Sequence, residues 1–84
     1  NLMKINTLSN SGTEYKSNGK VIIVQAIMGT GAAAIEAKVS GNGLEASGFT
    51  PIFTFSADEW KEIQLPNSCV YRYVITGNSE ISEA

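Results

Sequence analysis

The sequence contains no histidine, which removes the commonest general base and the commonest protein metal ligand. The Ser-His and Cys-His pairs of nucleophilic enzymes are therefore excluded. The single cysteine, Cys69, cannot form an internal disulfide or a cysteine-based zinc site, so a disulfide-stapled secreted scaffold is excluded as well. No run of about 18 apolar residues occurs, and we expect no segment to span a membrane.

Charge is also scarce. Only 17% of the 84 residues are charged and the formal net charge is −2, whereas a nucleic-acid-binding face is basic. The carboxylates show no spacing that indicates a facing catalytic pair, and Asp58-Glu59 matches no calcium loop. We therefore predict no enzymatic activity, no catalytic residue, no metal and no cofactor. The length predicts a single domain over residues 1–84 that is too small for a deep cleft.

Turn-forming residues recur about every ten positions, and this spacing predicts an all-β fold: a small antiparallel β-sandwich or jelly-roll-like domain of six to eight short strands. The strongest strand patterns cover residues 21–28 and 69–76, where β-branched residues are dense. Residues 32–40 alternate with a period of two, although their alanines also favour a helix. Residues 56–59 match a helix capping box, but residues 60–65 also have the alternation of a strand.

The segment 21–28 is apolar on both of its faces, so one face must be covered by something other than the core of this domain. A loop, a second sheet or another subunit could supply that cover. We expect the face of 69–76 that carries Tyr71 to point inward, because the opposite face carries Arg72. The predicted core consists of Val21, Ile23, Ile35, Val39, Phe53, Phe55, Tyr71, Tyr73 and Ile75.

Two residues are candidates for contact with a partner because tryptophan and arginine are enriched at interface hot spots. Trp60 shares a strand face with polar residues, which favours exposure, and it could instead stack on a sugar. Arg72 could instead pair with a carboxylate on a neighbouring strand. The predicted interface consists of Trp60, Arg72, Ile22, Val24 and Met28.

The run from Trp60 to Gly77, WKEIQLPNSCVYRYVITG, resembles the closing strands of small β-sandwich proteins carried on bacteriophage particles. These include capsid decoration (cement) proteins and head-fibre or tail-associated domains. The resemblance implies a non-enzymatic structural protein of a phage virion that binds the capsid surface and stabilises the shell. The implied partners are other copies of the chain, as a homotrimer, and the major capsid protein or another virion protein, with no nucleic acid and no membrane.

The resemblance to phage virion proteins also implies a location: the protein would be part of the virion, which is assembled in the host cytoplasm. The alternative is a small carbohydrate- or ligand-binding module centred on Trp60, which would be extracellular. A fragment of a larger bacterial surface protein is a third interpretation.

Overall fold

The computed structural model describes residues 4–39 and 48–84 of the chain. Within these ranges the chain forms strands and one short 3-10 turn at Leu8–Asn10, and no α-helix occurs. Gly41, Asn42 and Gly43, whose composition predicts a turn, lie outside the described residues. The strands are β1 (Lys4–Asn6), β2 (Glu14–Asn18), β3 (Val21–Ile27), β4 (Ala33–Val39), β5 (Thr50–Phe55), β6 (Glu59–Gln64), β7 (Asn67–Ile75) and β8 (Glu80–Glu83).

The strands form two four-stranded sheets, and every neighbouring pair is antiparallel. The first sheet has the order β1-β8-β3-β6, and the second has the order β2-β7-β4-β5. The first strand pairs with the last, the second with the seventh, the third with the sixth and the fourth with the fifth. A long hairpin rolled up in this way is a jelly roll, so the predicted fold class is confirmed.

Residues 33–39 form a strand and not a helix, although alanine favours the helix. β4 lies between β5 and β7, and its inward positions alternate with a period of two along the sheet. Ala33 and Ile35 point into the core and are 1% and 0% exposed. Pairing on both edges of the strand satisfies its backbone donors and acceptors, which outweighs a small helical preference.

Residues 59–64 also form a strand. One of the two hydrogen bonds of a capping box is present without a helix: the Ser56 backbone N–H donates to Glu59 Oε2 over 3.3 Å, at the first residue of β6.

The core lies between the two sheets. Tyr71, Tyr73 and Ile75 point inward as predicted, and Cys69 is a buried core residue. Of the other predicted core residues, Phe55 is buried and Phe53 packs against the core from a half-buried position, while the side chain of Val39 lies outside the described residues. The buried apolar cluster consists of Ile22, Val24, Ala26, Ala33, Ile35, Phe55, Ile63, Leu65, Cys69, Tyr71, Tyr73, Ile75 and Ile81.

The prediction that Val21 and Ile23 belong to the core is wrong. They are 49% and 45% exposed, whereas Ile22 is 2% exposed. The register with β6 explains the choice, because residues opposite each other in an antiparallel pair share a face. Ile22 stands opposite Ile63, but Ile23 stands opposite Glu62. Turning β3 over would bury a carboxylate without a partner, which costs more than exposing isoleucines.

At one end of the sandwich the β3–β4 turn and the β7–β8 turn lie against each other. A Cβ on Gly31 would stand 1.8 Å from the backbone carbonyl oxygen of Thr76, so only glycine fits there. The Ala32 backbone N–H donates to Thr76 Oγ1 over 2.9 Å, and the Thr76 N–H donates to the Ala32 carbonyl over 2.9 Å. These contacts extend the β4–β7 pairing into the two turns.

Candidate functional site

The outer face of the first sheet is apolar over much of its area. Five large hydrophobic side chains of this sheet point to solvent there, and each is between 43% and 65% exposed. Together they expose on the order of 500 Å² of apolar surface, which is within the range of the largest patches on monomeric proteins. This apolar face is defined by Ile5, Val21, Ile23, Ile27 and Trp60.

A row of side chains crosses all four strands at the middle of the apolar face. The register places Ile5 opposite Ser82, Ser82 opposite Gln25, and Gln25 opposite Trp60. A shallow cavity of about 270 Å³ lies in this region, lined by Ile23, Gln25, Trp60, Ser82 and Ala84. The cavity has amide and hydroxyl groups beside an indole ring that is 65% exposed. The face therefore offers both apolar area and a few hydrogen-bonding groups near its centre.

The structure separates the five predicted interface residues. Trp60 lies on the apolar face, as its strand pattern indicated. Ile22 and Val24 are 2% and 0% exposed, so the prediction that they contact a partner is wrong. Met28 is half-buried and packs against the core. Val21, Ile23 and Ile27 occupy the exposed positions of β3 instead, because the register with β6 fixes which set of residues points inward.

Arg72 lies on the outer face of the other sheet, away from Trp60. Its guanidinium is paired with Glu36 on the neighbouring strand β4, with Nε donating over 2.9 Å and Nη2 within 2.8 Å of the same Oε1. Glu36 stands directly opposite Arg72 in the sheet register. The ring of Phe49 lies over the guanidinium at 3.9 Å. Of the two interpretations of Arg72, the structure therefore shows the cross-strand pair.

A polar cluster lies in the core near β1 and β2, and the sequence did not indicate it. Glu83 is 5% exposed, and its carboxylate accepts hydrogen bonds from the hydroxyls of Tyr71, at 2.9 and 3.0 Å, and Tyr73, at 2.7 Å. Lys4 Nζ lies 3.4 Å from the same carboxylate and 4.5 Å from the ring centre of Tyr15. The alternation of Ile81 and Glu83 on one face of the last strand was the available signal.

Burial, followed by the hydrogen bonds to Glu83 and the charge of its carboxylate, raises the pKa of Tyr71 and of Tyr73 well above the ordinary value of 10.0. Both hydroxyls are thus held protonated as donors to a carboxylate that already has a lysine beside it. The cluster joins β1 and β8 of one sheet to β2 and β7 of the other. This arrangement acts as a polar clamp between the sheets.

In the part of the chain that the structure describes, no three Cys, Asp or Glu side chains gather in a way that could hold a metal ion. Nor do these residues include a helix with the length and hydropathy needed to cross a membrane. Among the described residues, most of the exposed large hydrophobic side chains lie on the apolar face. Comparison of the chain with family models, curated proteins and solved structures found no match.

Proposed function

We propose that this protein is a non-enzymatic structural protein of a phage virion, a capsid decoration (cement) protein that binds the capsid surface through its apolar face and stabilises the shell. The single observation that carries the proposal is the apolar face itself: five large side chains exposed together on one sheet. The jelly roll is an architecture used by viral capsid domains, and the run 60–77 resembles the closing strands of phage decoration proteins. Fold alone does not assign function, so the proposal rests on the surface.

The area of the apolar face is suited to a contact of modest affinity that is repeated many times over a shell. Burying about 500 Å² of apolar surface yields on the order of 12 kcal/mol before any cost of association. Association itself costs roughly 4–15 kcal/mol, so one such contact gives a modest net affinity. A decoration protein that contacts two shell subunits adds its contact energy to the junction between them. A rigid sandwich held together by a polar clamp would transmit that energy without deforming.

The test is sedimentation of the protein with capsids assembled from a major capsid protein encoded in the same genome. We expect wild-type protein to be depleted from solution by the capsids, and Trp60→Ala to weaken binding at least tenfold. The matched control is Lys16→Ala, which removes an exposed side chain from β2 of the other sheet and should bind like wild type. Capsids that leave the wild-type protein in solution would refute the proposal.

Self-association as a homotrimer belongs to the same proposal and is measured separately. Sedimentation equilibrium over a hundredfold concentration range gives the mass of the particle in solution. A single species near the mass of one chain would remove the trimer from the proposal.

A second candidate function is a carbohydrate-binding module, and the cavity beside Trp60 favours it. Gln25 and Ser82 place hydrogen-bonding groups next to an exposed indole, which is the combination needed to stack on a sugar ring and bind its hydroxyls. Trp60 is the sole tryptophan, so its fluorescence reports directly on this site. Saturable quenching by glycans, together with no binding to capsids, would assign this function instead.

A further inference from the structure

The apolar face carries charge of one sign. Glu62 and Glu80 occupy outward positions of the first sheet, each directly opposite an exposed isoleucine of β3, Ile23 and Ile27 respectively. No lysine or arginine occupies an outward position in the described strands of this sheet. Because Glu62 and Glu80 lie on opposite sides of the central row that contains Trp60, the apolar face has carboxylates towards both of its ends.

The lysines of the same strands point elsewhere. Lys4 Nζ lies beside Glu83 and over the ring of Tyr15. Lys61 Nζ lies 4.9 Å from the ring centre of Phe53, which belongs to the other sheet. Both lysines occupy positions in register with inward residues of neighbouring strands. The absence of lysine and arginine from the outward positions of these described strands therefore follows from strand register.

The outer face of the second sheet has a different composition. It carries cations and anions in register, including Arg72 paired with Glu36 and flanked on its other side by Glu14 of β2. Phe49 covers the guanidinium of Arg72. On this face Arg72 is paired with Glu36, whereas Glu62 and Glu80 have no ion-pair partner among residues 4–39 and 48–84.

A second copy of the chain fits the apolar face poorly. In a face-to-face pair the described strands of each copy would bring carboxylates and no lysine or arginine, so like charges would meet at the border of the contact and Glu62 and Glu80 would gain no partner. The five apolar side chains alone fall short of the roughly 800 Å² per partner of a standard interface, so the surrounding polar positions must be buried too. The occupant must therefore match those carboxylates.

We infer that the apolar face docks onto a different protein, whose contact surface has an apolar centre bordered by lysine or arginine side chains placed to meet Glu62 and Glu80. That this partner is a shell protein rests on the proposed function, but the charge pattern required of it does not. Paired rim charges of this kind chiefly raise the rate of association and make binding sensitive to salt. A homotrimer, where it forms, would have to use other surfaces.

The direct test uses a charge-reversed variant of the protein as a model of the required partner. The variant E62K/E80K/W60F presents the same sheet with a basic border and no tryptophan fluorescence. When it is added to wild-type protein, we expect the quenching of Trp60 by acrylamide to fall at least twofold, because the indole becomes covered. The effect should weaken on going from low salt to about 0.15 M salt, where the screening length is about 8 Å.

Wild-type protein alone provides the reference. We expect its Trp60 quenching to stay constant over a hundredfold range of concentration, even where other surfaces associate. A fall in quenching with concentration would show that copies cover each other's apolar faces and would overturn the inference. Mixtures with the basic variant that leave Trp60 as accessible as before would overturn it as well. Circular dichroism and a urea midpoint establish that the variant is folded. The matched control is W60F alone, whose border is still acidic. Adding it should leave the acrylamide quenching of Trp60 in the wild-type protein unchanged.

A second experiment measures capsid binding by charge-neutralised variants, and it distinguishes this inference from the proposed function. E62Q/E80Q should weaken capsid binding about threefold to tenfold and flatten its dependence on salt, since each exposed ion pair contributes little. The matched variant Glu14→Gln, on the other sheet, should bind like wild type. Capsid binding that is strong but indifferent to E62Q/E80Q would overturn the charge inference while leaving the decoration function standing. Capsids that bind no wild-type protein, combined with coverage of Trp60 by the basic variant, would refute decoration and support the charge pattern.

Discussion

Raising the pH above 10 should destabilise and then unfold this protein, because two buried tyrosines ionise more readily in the unfolded chain than in the folded one. Tyr71 and Tyr73 are 2% and 0% exposed, and both donate to the carboxylate of Glu83. Ionising either one in place would put a second negative charge beside that carboxylate in a buried site. The pKa of each hydroxyl is therefore raised in the folded protein above its ordinary value of 10.0.

The sign and size of the effect follow from proton linkage. Below pH 10 both tyrosines are protonated in the folded and the unfolded chain, so their contribution to stability is fully present. Above pH 10 the unfolded chain releases protons that the folded chain retains, and stability falls by about 1.4 kcal/mol per pH unit for each tyrosine. Two tyrosines give about 2.7 kcal/mol per unit. A domain of this size with about 5 kcal/mol of stability would therefore unfold near pH 12.

Urea unfolding followed by circular dichroism at several pH values between 9 and 12 measures this slope. The comparison protein is Tyr73→Phe, which lacks one of the two hydroxyls and should lose stability half as steeply from tyrosine ionisation. The two proteins differ in no other ionisable side chain, so the difference between their slopes isolates Tyr73. If the unfolding free energy of the two proteins falls with pH at the same rate, whatever their stabilities at pH 9, then Tyr73 ionises freely in the folded state.

Three further outcomes are expected. Ile22→Ala should cost about 2–5 kcal/mol of unfolding free energy in urea, whereas Ile23→Ala, its exposed neighbour, should cost under about 1 kcal/mol; the reverse order would mean that β3 is turned over. Gly31→Ala should lower the thermal midpoint sharply, because its Cβ would collide with a backbone carbonyl, while Gly48→Ala, which has open space for a Cβ, should leave it nearly unchanged. Trp60→Ala should change the unfolding free energy by no more than about 0.5 kcal/mol, and a larger loss would place the indole in the core.

The fold class could be predicted because its signals are local. Turn residues at regular intervals and β-branched runs predict short strands, and a chain of 84 residues has few other ways to cover them. The inward face of β7 could also be predicted, since Arg72 alternates with Tyr71 and Tyr73. The inward face of β3 could not be predicted, because both of its faces are apolar. That choice depends on Glu62 and Gln64 in the neighbouring strand β6, and strand order is not a local property.

The same reasoning accounts for the candidate site. The exposure of Trp60 could be predicted because Glu62 and Gln64 share its face, but the sequence pattern wrongly assigns Val21 and Ile23, two of its companions, to the core. The polar clamp was missed for a related reason. A carboxylate in a terminal strand usually lies in solvent, and only the approach of Tyr71 and Tyr73 from the other sheet makes burial of Glu83 favourable.

The rolled hairpin also governs how quickly the protein can fold. From β4 with β5 outward to β1 with β8, each pair joins residues that are further apart along the chain, and the entropic cost of closing each loop rises accordingly. Folds dominated by such distant pairings reach the native state in milliseconds to seconds. We expect the β4–β5 pair to form early and the β1–β8 pair last. Since that last pair brings Lys4 to Glu83, the polar clamp closes only when nearly the whole chain is already in place.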